Sequence, residues 1–307
     1  MNALASLPAA AEFRASGTDL SERRRSGVSQ GPLIDIVPGP DMVRIAWDAR
    51  GAARIGASTS IAAIASDARL QAAYPGVAAA AGGLATPQIR HLATLGGNLA
   101  QRSRCWYYRN PHIACLKKGG SECPARPGNH LYGVAFDRGP CVAPHPSTLA
   151  AALLAYGATV TTSQRAGLSI EALLGDGADG ARDDLLASDE RISRVDLPVP
   201  LAGERAGYRR AISRTSPEWP LVEVVVRATI SEERFTFVRM TAGGIAPVPL
   251  RFVDAEQALQ SATADAANIR KAAERATANA RPLPGTGYKL KLLEQTIIDM
   301  AEALIKL

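Results

Sequence analysis

Cys105, Cys115, Cys123 and Cys141 are the only cysteines in a chain of 307 residues, and they fall within 37 consecutive positions. Thiols gathered in this way point first to a metal or iron-sulfur site. The spacing C-x9-C-x7-C-x17-C can complete either a zinc site or a 4Fe-4S cluster. Structural zinc favours pairs separated by roughly two to four residues, because a short knuckle presets the geometry, and this spacing is wider. Free thiols or disulfides are the plain alternative. Between residues 102 and 126 stand Arg102, Arg104, Arg109, Lys117, Lys118 and Arg126 against the single acid Glu122. An all-thiolate 4Fe-4S cluster is anionic, so a positive field there favours its reduced form.

Just before the cysteines runs Thr94-Leu95-Gly96-Gly97-Asn98, and near the start runs Ala15-Ser16-Gly17-Thr18-Asp19-Leu20, after a short apolar strand around Phe13. Small residues let backbone N–H groups approach an anion closely, and threonine and asparagine add side-chain donors. A lone Gly-Thr-Asp is more often only a turn, but two such loops can clamp a pyrophosphate. Neither is a G-x-G-x-x-G or a P-loop, so the nucleotide would sit in another fold. A phosphate site beside a cysteine site suggests two neighbouring cofactors and electron movement between them.

The elements that must position these residues follow from pattern. Leu33 to Ile36 and Ala53 to Gly56 read as short strands around the turn Pro38-Gly39-Pro40. Thr59 to Ala85 is mostly alanine with larger aliphatics and reads as helix, capped by Ser58 or Thr59. Residues 86 to 148 hold many Gly and Pro, all four cysteines and all four histidines, and read as a long functional loop region. A helix over Thr148 to Tyr156 ends at Gly157, and a strand follows at Thr159 to Thr162. After a Gly/Asp-rich linker near 175 to 184, strands at 192–199, 208–213, 222–230 and 235–242 suggest one antiparallel sheet. Leu290, Leu293, Ile297, Met300 and Leu304 share one face of a terminal helix.

With 47% hydrophobic residues the chain can build two cored domains. No window approaches the roughly 20 apolar residues of a membrane span. The net charge of +6 comes without a basic stripe interleaved with aromatics, so nucleic acid is not an expected partner. The alanine-rich first residues lack a leading basic group and are broken by Pro8, and they read as mature protein rather than an export signal.

Ala15 to Leu20, Ile55-Gly56-Ala57, Pro87 to Arg90 and Ala93 to Leu99 occur in one order. With Tyr208-Arg209-Arg210, Arg214 and Gly243 to Pro247 they cover nearly the whole chain, which resembles the FAD-binding medium subunit of the molybdenum hydroxylases. The resemblance implies an α+β fold: a vanillyl-alcohol-oxidase-type (PCMH-type) FAD-binding domain of two subdomains, followed by a C-terminal α+β domain with a small antiparallel sheet and helices. With the boundary placed at the Gly/Asp-rich linker, the FAD domain is expected at 1–182, with an iron-sulfur loop at 102–146, and the C-terminal domain at 183–307. The pyrophosphate loop falls on Arg14, Ala15, Ser16, Gly17, Thr18, Asp19 and Leu20. The second FAD loop falls on Thr94, Gly97 and Asn98, with Gln101 close behind, and Arg210 stands where the family has a lysine near the flavin.

Three departures accompany the match. Ser16 replaces a glycine, Thr148 replaces an aspartate after Pro-Ser, and the chain begins about 25 residues late, so the usual first strand and helix would be absent or truncated. The cysteine insertion resembles a minority of the family that carries an extra 4Fe-4S cluster, the bacterial aldehyde oxidoreductases and 4-hydroxybenzoyl-CoA reductase. The implied role is electron transfer from a large molybdenum-cofactor subunit and a small 2Fe-2S subunit, through FAD, to an external acceptor. No catalytic residue is assigned to this chain. A self-contained flavin oxidoreductase and a zinc-stabilised assembly subunit are the alternatives. Localisation is expected to be cytoplasmic, or periplasmic by export with a folded partner. His112 and His145 are expected as surface or supporting groups, Arg23-Arg24-Arg25 as a solvated run, and Trp106, Tyr107 and Tyr108 as packing.

Overall fold

The computed structural model describes residues 11–215 and 217–306; the reading of residues 1–10 lies outside them. Three sheets organise the described residues. β1 (Glu12–Arg14) and β2 (Leu33–Asp35) pair in parallel, with α1 (Leu20–Arg25) between them in sequence. A five-stranded antiparallel sheet runs in the order β3 (Ile45–Trp47), β4 (Ala53–Gly56), β7 (Ile192–Leu197), β5 (Thr159–Thr162), β6 (Leu168–Ser169). A four-stranded antiparallel sheet runs β11 (Leu250–Arg251), β10 (Arg234–Gly243), β9 (Val222–Ser231), β8 (Arg205–Ala211).

This is the α+β arrangement expected, with one correction. The strand at 192–197 does not open the last sheet. It lies between β4 and β5 in the five-stranded sheet, Val195 pairing with both Ile55 and Val160. Strand pattern reports exposure on two faces and not which sheet receives the strand, so the divide between sheets falls between residues 197 and 205.

The helical stretch expected over 59–85 is three helices, α2 (Ile61–Ser66), α3 (Ala68–Ala73) and α4 (Pro75–Gly83). Asp67 ends α2 and caps α3, its carboxylate accepting from Leu70 N at 2.8 Å. Pro75 starts α4, where its missing N–H costs nothing. Two more helices, α5 (Pro87–Leu92) and α6 (Leu95–Leu99), stand where an irregular loop was expected. Thr86 and Thr94 cap them, each hydroxyl accepting a backbone N–H three residues on. Beyond them the cysteine segment holds one helical turn, α7 (Trp106–Arg109), and a 3-10 turn at Leu116–Lys118.

Every residue of α8 (Thr148–Tyr156) is buried, and Gly157 ends it at φ 61°. Packed against α4, α6, β9 and β10, it joins both parts of the molecule in one apolar cluster. Each fully buried leucine there contributes roughly 1.5–3 kcal/mol. The remaining helices are α9 (Ile170–Leu174), α10 (Val253–Leu259), α11 (Ala266–Thr277) and α12 (Tyr288–Ile305). α12 lays Leu293, Ile297, Met300 and Leu304 over β8 and β9, as its spacing predicts. The cysteine segment has a small core of its own in Ala125, Val134 and Val142, flanked by Tyr107 and Cys123. Among the described residues no helix is long and apolar enough to cross a membrane.

Candidate functional site

The turn after β1 and the N-terminal end of α6 meet across a cleft of about 270 Å³. Arg14, Ala15, Ser16, Gly17, Thr18, Asp19, Leu20, Thr94, Gly97 and Gln101 all line it. Two loops about 80 residues apart in sequence are thus brought face to face, as a pyrophosphate clamp requires. The positive φ of the first loop falls on Gly17, at 73°, and Ser16 is not among the residues of positive φ. The serine replacement therefore carries no backbone strain. A methyl at Gly17 would also meet Ser21 Oγ at 2.9 Å. In the second loop Gly96 packs on Ala57, donating its N–H to the Ala57 carbonyl at 2.8 Å, and both residues line the cleft. Gly96 belongs to the loop read from sequence as a phosphate loop, whereas Ala57 was marked only within Ile55-Gly56-Ala57.

Two expected contacts lie elsewhere. Asn98 is buried behind the loop, its side-chain oxygen accepting from Ser147 Oγ at 2.7 Å and from Leu149 N at 3.4 Å. It ties α6 to the start of α8. Arg210 sits on β8 opposite Glu223 and does not line the cleft. Beside it Tyr208 donates to Glu223 Oε2 at 2.8 Å, and Thr148 bonds the same carboxylate. Burial pushes Glu223 above the usual carboxylate value. Thr148 thus serves this enclosed cluster between α8, β8 and β9. Arg14, though lining the cleft, forks onto Asp35 at 2.6 and 2.8 Å.

All four cysteines are free thiols, Cys115 and Cys141 buried and Cys105 and Cys123 partly so. Cys141 hydrogen-bonds Cys123, which holds the Cys123 thiol below its ordinary value and pushes Cys141 up. Burial raises Cys105, while backbone N–H groups of Tyr108 and Tyr107 pull the other way, and Cys105 senses both Cys123 and Cys115. Backbone groups of Val142, Ala125 and Arg126 bond the Cys123 sulfur, and Ala143 bonds that of Cys141. Amides aimed at sulfur are what thiolate ligands of a metal centre use to disperse charge. Among the described residues, however, no three or more His, Cys, Asp or Glu side chains converge as a ready-made metal site.

The positive field inferred from sequence is mostly cancelled by acids from far along the chain. Asp183 pairs Arg102 at 2.7 Å and Lys117 at 2.8 Å. Burial opposes its charge, but Lys117 and Arg102 outweigh burial and hold Asp183 at about 2. Asp19 and Glu22 together take Arg104 and Arg109 at 2.7–2.9 Å. Asp137 takes Arg126 at 2.7 Å. Lys118 caps the carbonyls of Tyr107 and Asn110.

Other expectations shift too. His145 is 3% exposed, burial lowering it to about 4, which leaves the supporting role of the two expected for it. Arg23 is buried between Glu12 and Asp19 rather than solvated. Trp106 is half-exposed against Tyr132, while Tyr108 is buried. Asp19-Leu20-Ser21-Glu22 has the spacing of a helix capping box, yet Asp19 makes no side-chain cap bond. Both acids turn instead to Arg104 and Arg109, which the spacing alone does not show.

The sequence pattern of the FAD binding domain in molybdopterin dehydrogenase matches residues 1–200, and that of the CO dehydrogenase flavoprotein C-terminal domain matches residues 207–296. The aldehyde oxidoreductase FAD-binding subunit PaoB of Escherichia coli (strain K12) is 31% identical over 301 residues, which span 95% of this chain and 91% of that protein. A carbon monoxide dehydrogenase chain from Hydrogenophaga pseudoflava superposes with a TM-score of 0.75 at 21% identity, over 99% of this chain and 92% of the other. A chain of quinoline 2-oxidoreductase from Pseudomonas putida 86 superposes at 0.73 with 17% identity, over 97% and 90%.

Proposed function

Since the chain belongs to the FAD-binding subunits of the molybdenum hydroxylase family, we propose that it is the FAD and 4Fe-4S electron-transfer subunit of an aldehyde oxidoreductase-type complex. In this reading Ala15 to Thr18 and Thr94 to Gly97 hold the FAD pyrophosphate, Leu20 and Gln101 close the cleft, and Arg210 approaches the flavin end from the second sheet. Cys105, Cys115, Cys123 and Cys141 hold the cluster. FAD supplies the ability to take electrons singly or in pairs. This chain binds and orients it, buries Cys115 and Cys141, and tunes the charge on the thiols. A large molybdenum-cofactor subunit and a small 2Fe-2S subunit deliver the electrons, and an external acceptor removes them. The complex works in the cytoplasm, or in the periplasm after export with a folded partner. In this reading β7, which pairs with β4 and β5, is counted with the FAD-binding part.

The observation that carries the proposal is the convergence of both glycine-containing loops on one cleft, next to four unbridged thiols. The amides trained on Cys105, Cys123 and Cys141 support an anionic cluster. The test is the flavin, iron, sulfide and zinc content of the complex purified with its partner subunits. One FAD with four irons and four sulfides assigned to this chain is expected; zinc without iron, or no flavin, contradicts the proposal.

A further inference from the structure

The phosphate loop and the first cysteine are joined through the Asp19 carboxylate, with Glu22 in α1 taking the same two arginines at 2.7 and 2.8 Å from the more exposed side. Asp19 Oδ1 lies 2.7 Å from Arg109 and 2.9 Å from Arg104, and Oδ2 accepts from the backbone N–H of Arg102 at 3.2 Å. Arg109 in turn donates to the carbonyls of Ser103 and Arg102, each at 2.8 Å. Cys105 follows directly, with Arg104 beside it. The Asp19 side chain is 13% exposed, and Arg104 and Arg109 outweigh burial to keep it ionised. A charge-assisted network of this kind, shielded from water, is stiff and directional.

Resting on the cofactor assignment above, we propose that Asp19 is a positioning residue rather than a flavin contact: it makes the pyrophosphate loop and the Cys105 segment move as one body, so that occupation of either site orders the other. FAD bound against Ala15 to Thr18 fixes the loop that carries Asp19. Asp19 then fixes Arg109, and Arg109 fixes the backbone of residues 102–103 that presents Cys105. Coupling between sites is reciprocal for binding, so the cluster must favour FAD by the same factor by which FAD favours the cluster.

The experiment is hydrogen exchange on amides 102–109 in the flavin-depleted complex, with and without added FAD, in the wild type, D19N and D19E. In the wild type FAD slows exchange by about 10-fold. In D19N the slowing falls below about 2-fold although FAD still binds, and D19E restores part of it. The FAD-dependent shift in cluster reduction potential disappears in D19N alongside. Undiminished FAD protection in D19N overturns the proposal, as does an absence of protection in the wild type, which is decisive even if D19N fails to fold. Because the exchange readout needs only FAD, an iron-free complex would sink the cluster assignment while the Asp19 link still stands or falls on these amides.

Discussion

The cleft and the cysteine segment lie side by side but are held in opposite ways. The cleft is made of capped helix starts and short strands: Thr94 caps α6, Gly17 turns the chain after β1, and α6 leans on the wholly buried α8. The cysteine segment has two short helical turns, a core of three buried residues, ion pairs to the distant acids Asp19 and Asp183, and one internal pair, Arg126 with Asp137. One region is preformed by backbone and apolar packing. The other is a loop pinned at its rim, and the cluster proposed for its thiols would complete its centre.

That contrast is broken most directly at the thiols. Cys123→Ser, or chelation of the proposed iron, is expected to abolish the cluster and to melt residues 102–146 locally, while exchange protection of α8 stays intact. Loss of protection across α8 as well would show that the two regions are one cooperative unit. The converse change is Leu153→Ala, at a side chain with no exposed surface. It should cost roughly 2–5 kcal/mol, seen as a lowered denaturation midpoint with flavin and iron released together.

Asp183 sharpens the comparison at lower energy. Its folded value of about 2 lies below the unfolded value of roughly 3.9. The stabilisation is therefore present above about pH 4 and lost as pH falls through about 2. Exchange around Lys117 should rise over that window before the α8 region responds. Asp183→Asn should cost roughly 3 kcal/mol at neutral pH and remove the acid-dependent step. The smallest effects concern the phosphate loop. Gly17→Ala forces an L-residue into the left-handed region, at about 1–2 kcal/mol, and should weaken FAD binding about tenfold. Ser16→Gly should change FAD affinity by less than about threefold, since Ser16 already has an ordinary φ; a large gain would show that the serine strains the loop.

The same contrast decided what the sequence could disclose. Local signals carried α8 and β5, because an apolar run closed by Gly157 is unambiguous, and they carried the loops at Ala15 to Leu20 and Thr94 to Gly97. The capped helices α5 and α6 were hidden by Gly and Pro content, though Thr86-Pro87 and Thr94 marked their starts. The pairing of β7 was not legible, since its alternation fits either sheet. The charge around the cysteines misled for a physical reason. Asp19 and Asp183 stand about 80 residues away from Arg102 in sequence, and counting neighbours along the chain cannot find acids that folding brings into contact.

Anomalous diffraction at the iron edge from crystals of the purified complex is the most direct test that FAD and a 4Fe-4S cluster sit together on this chain. Four iron peaks within bonding distance of Cys105, Cys115, Cys123 and Cys141, with flavin density between Gly17 and Gly97, are expected. A single zinc peak among the cysteines, a disulfide between any two of them, or a cleft without flavin would contradict it.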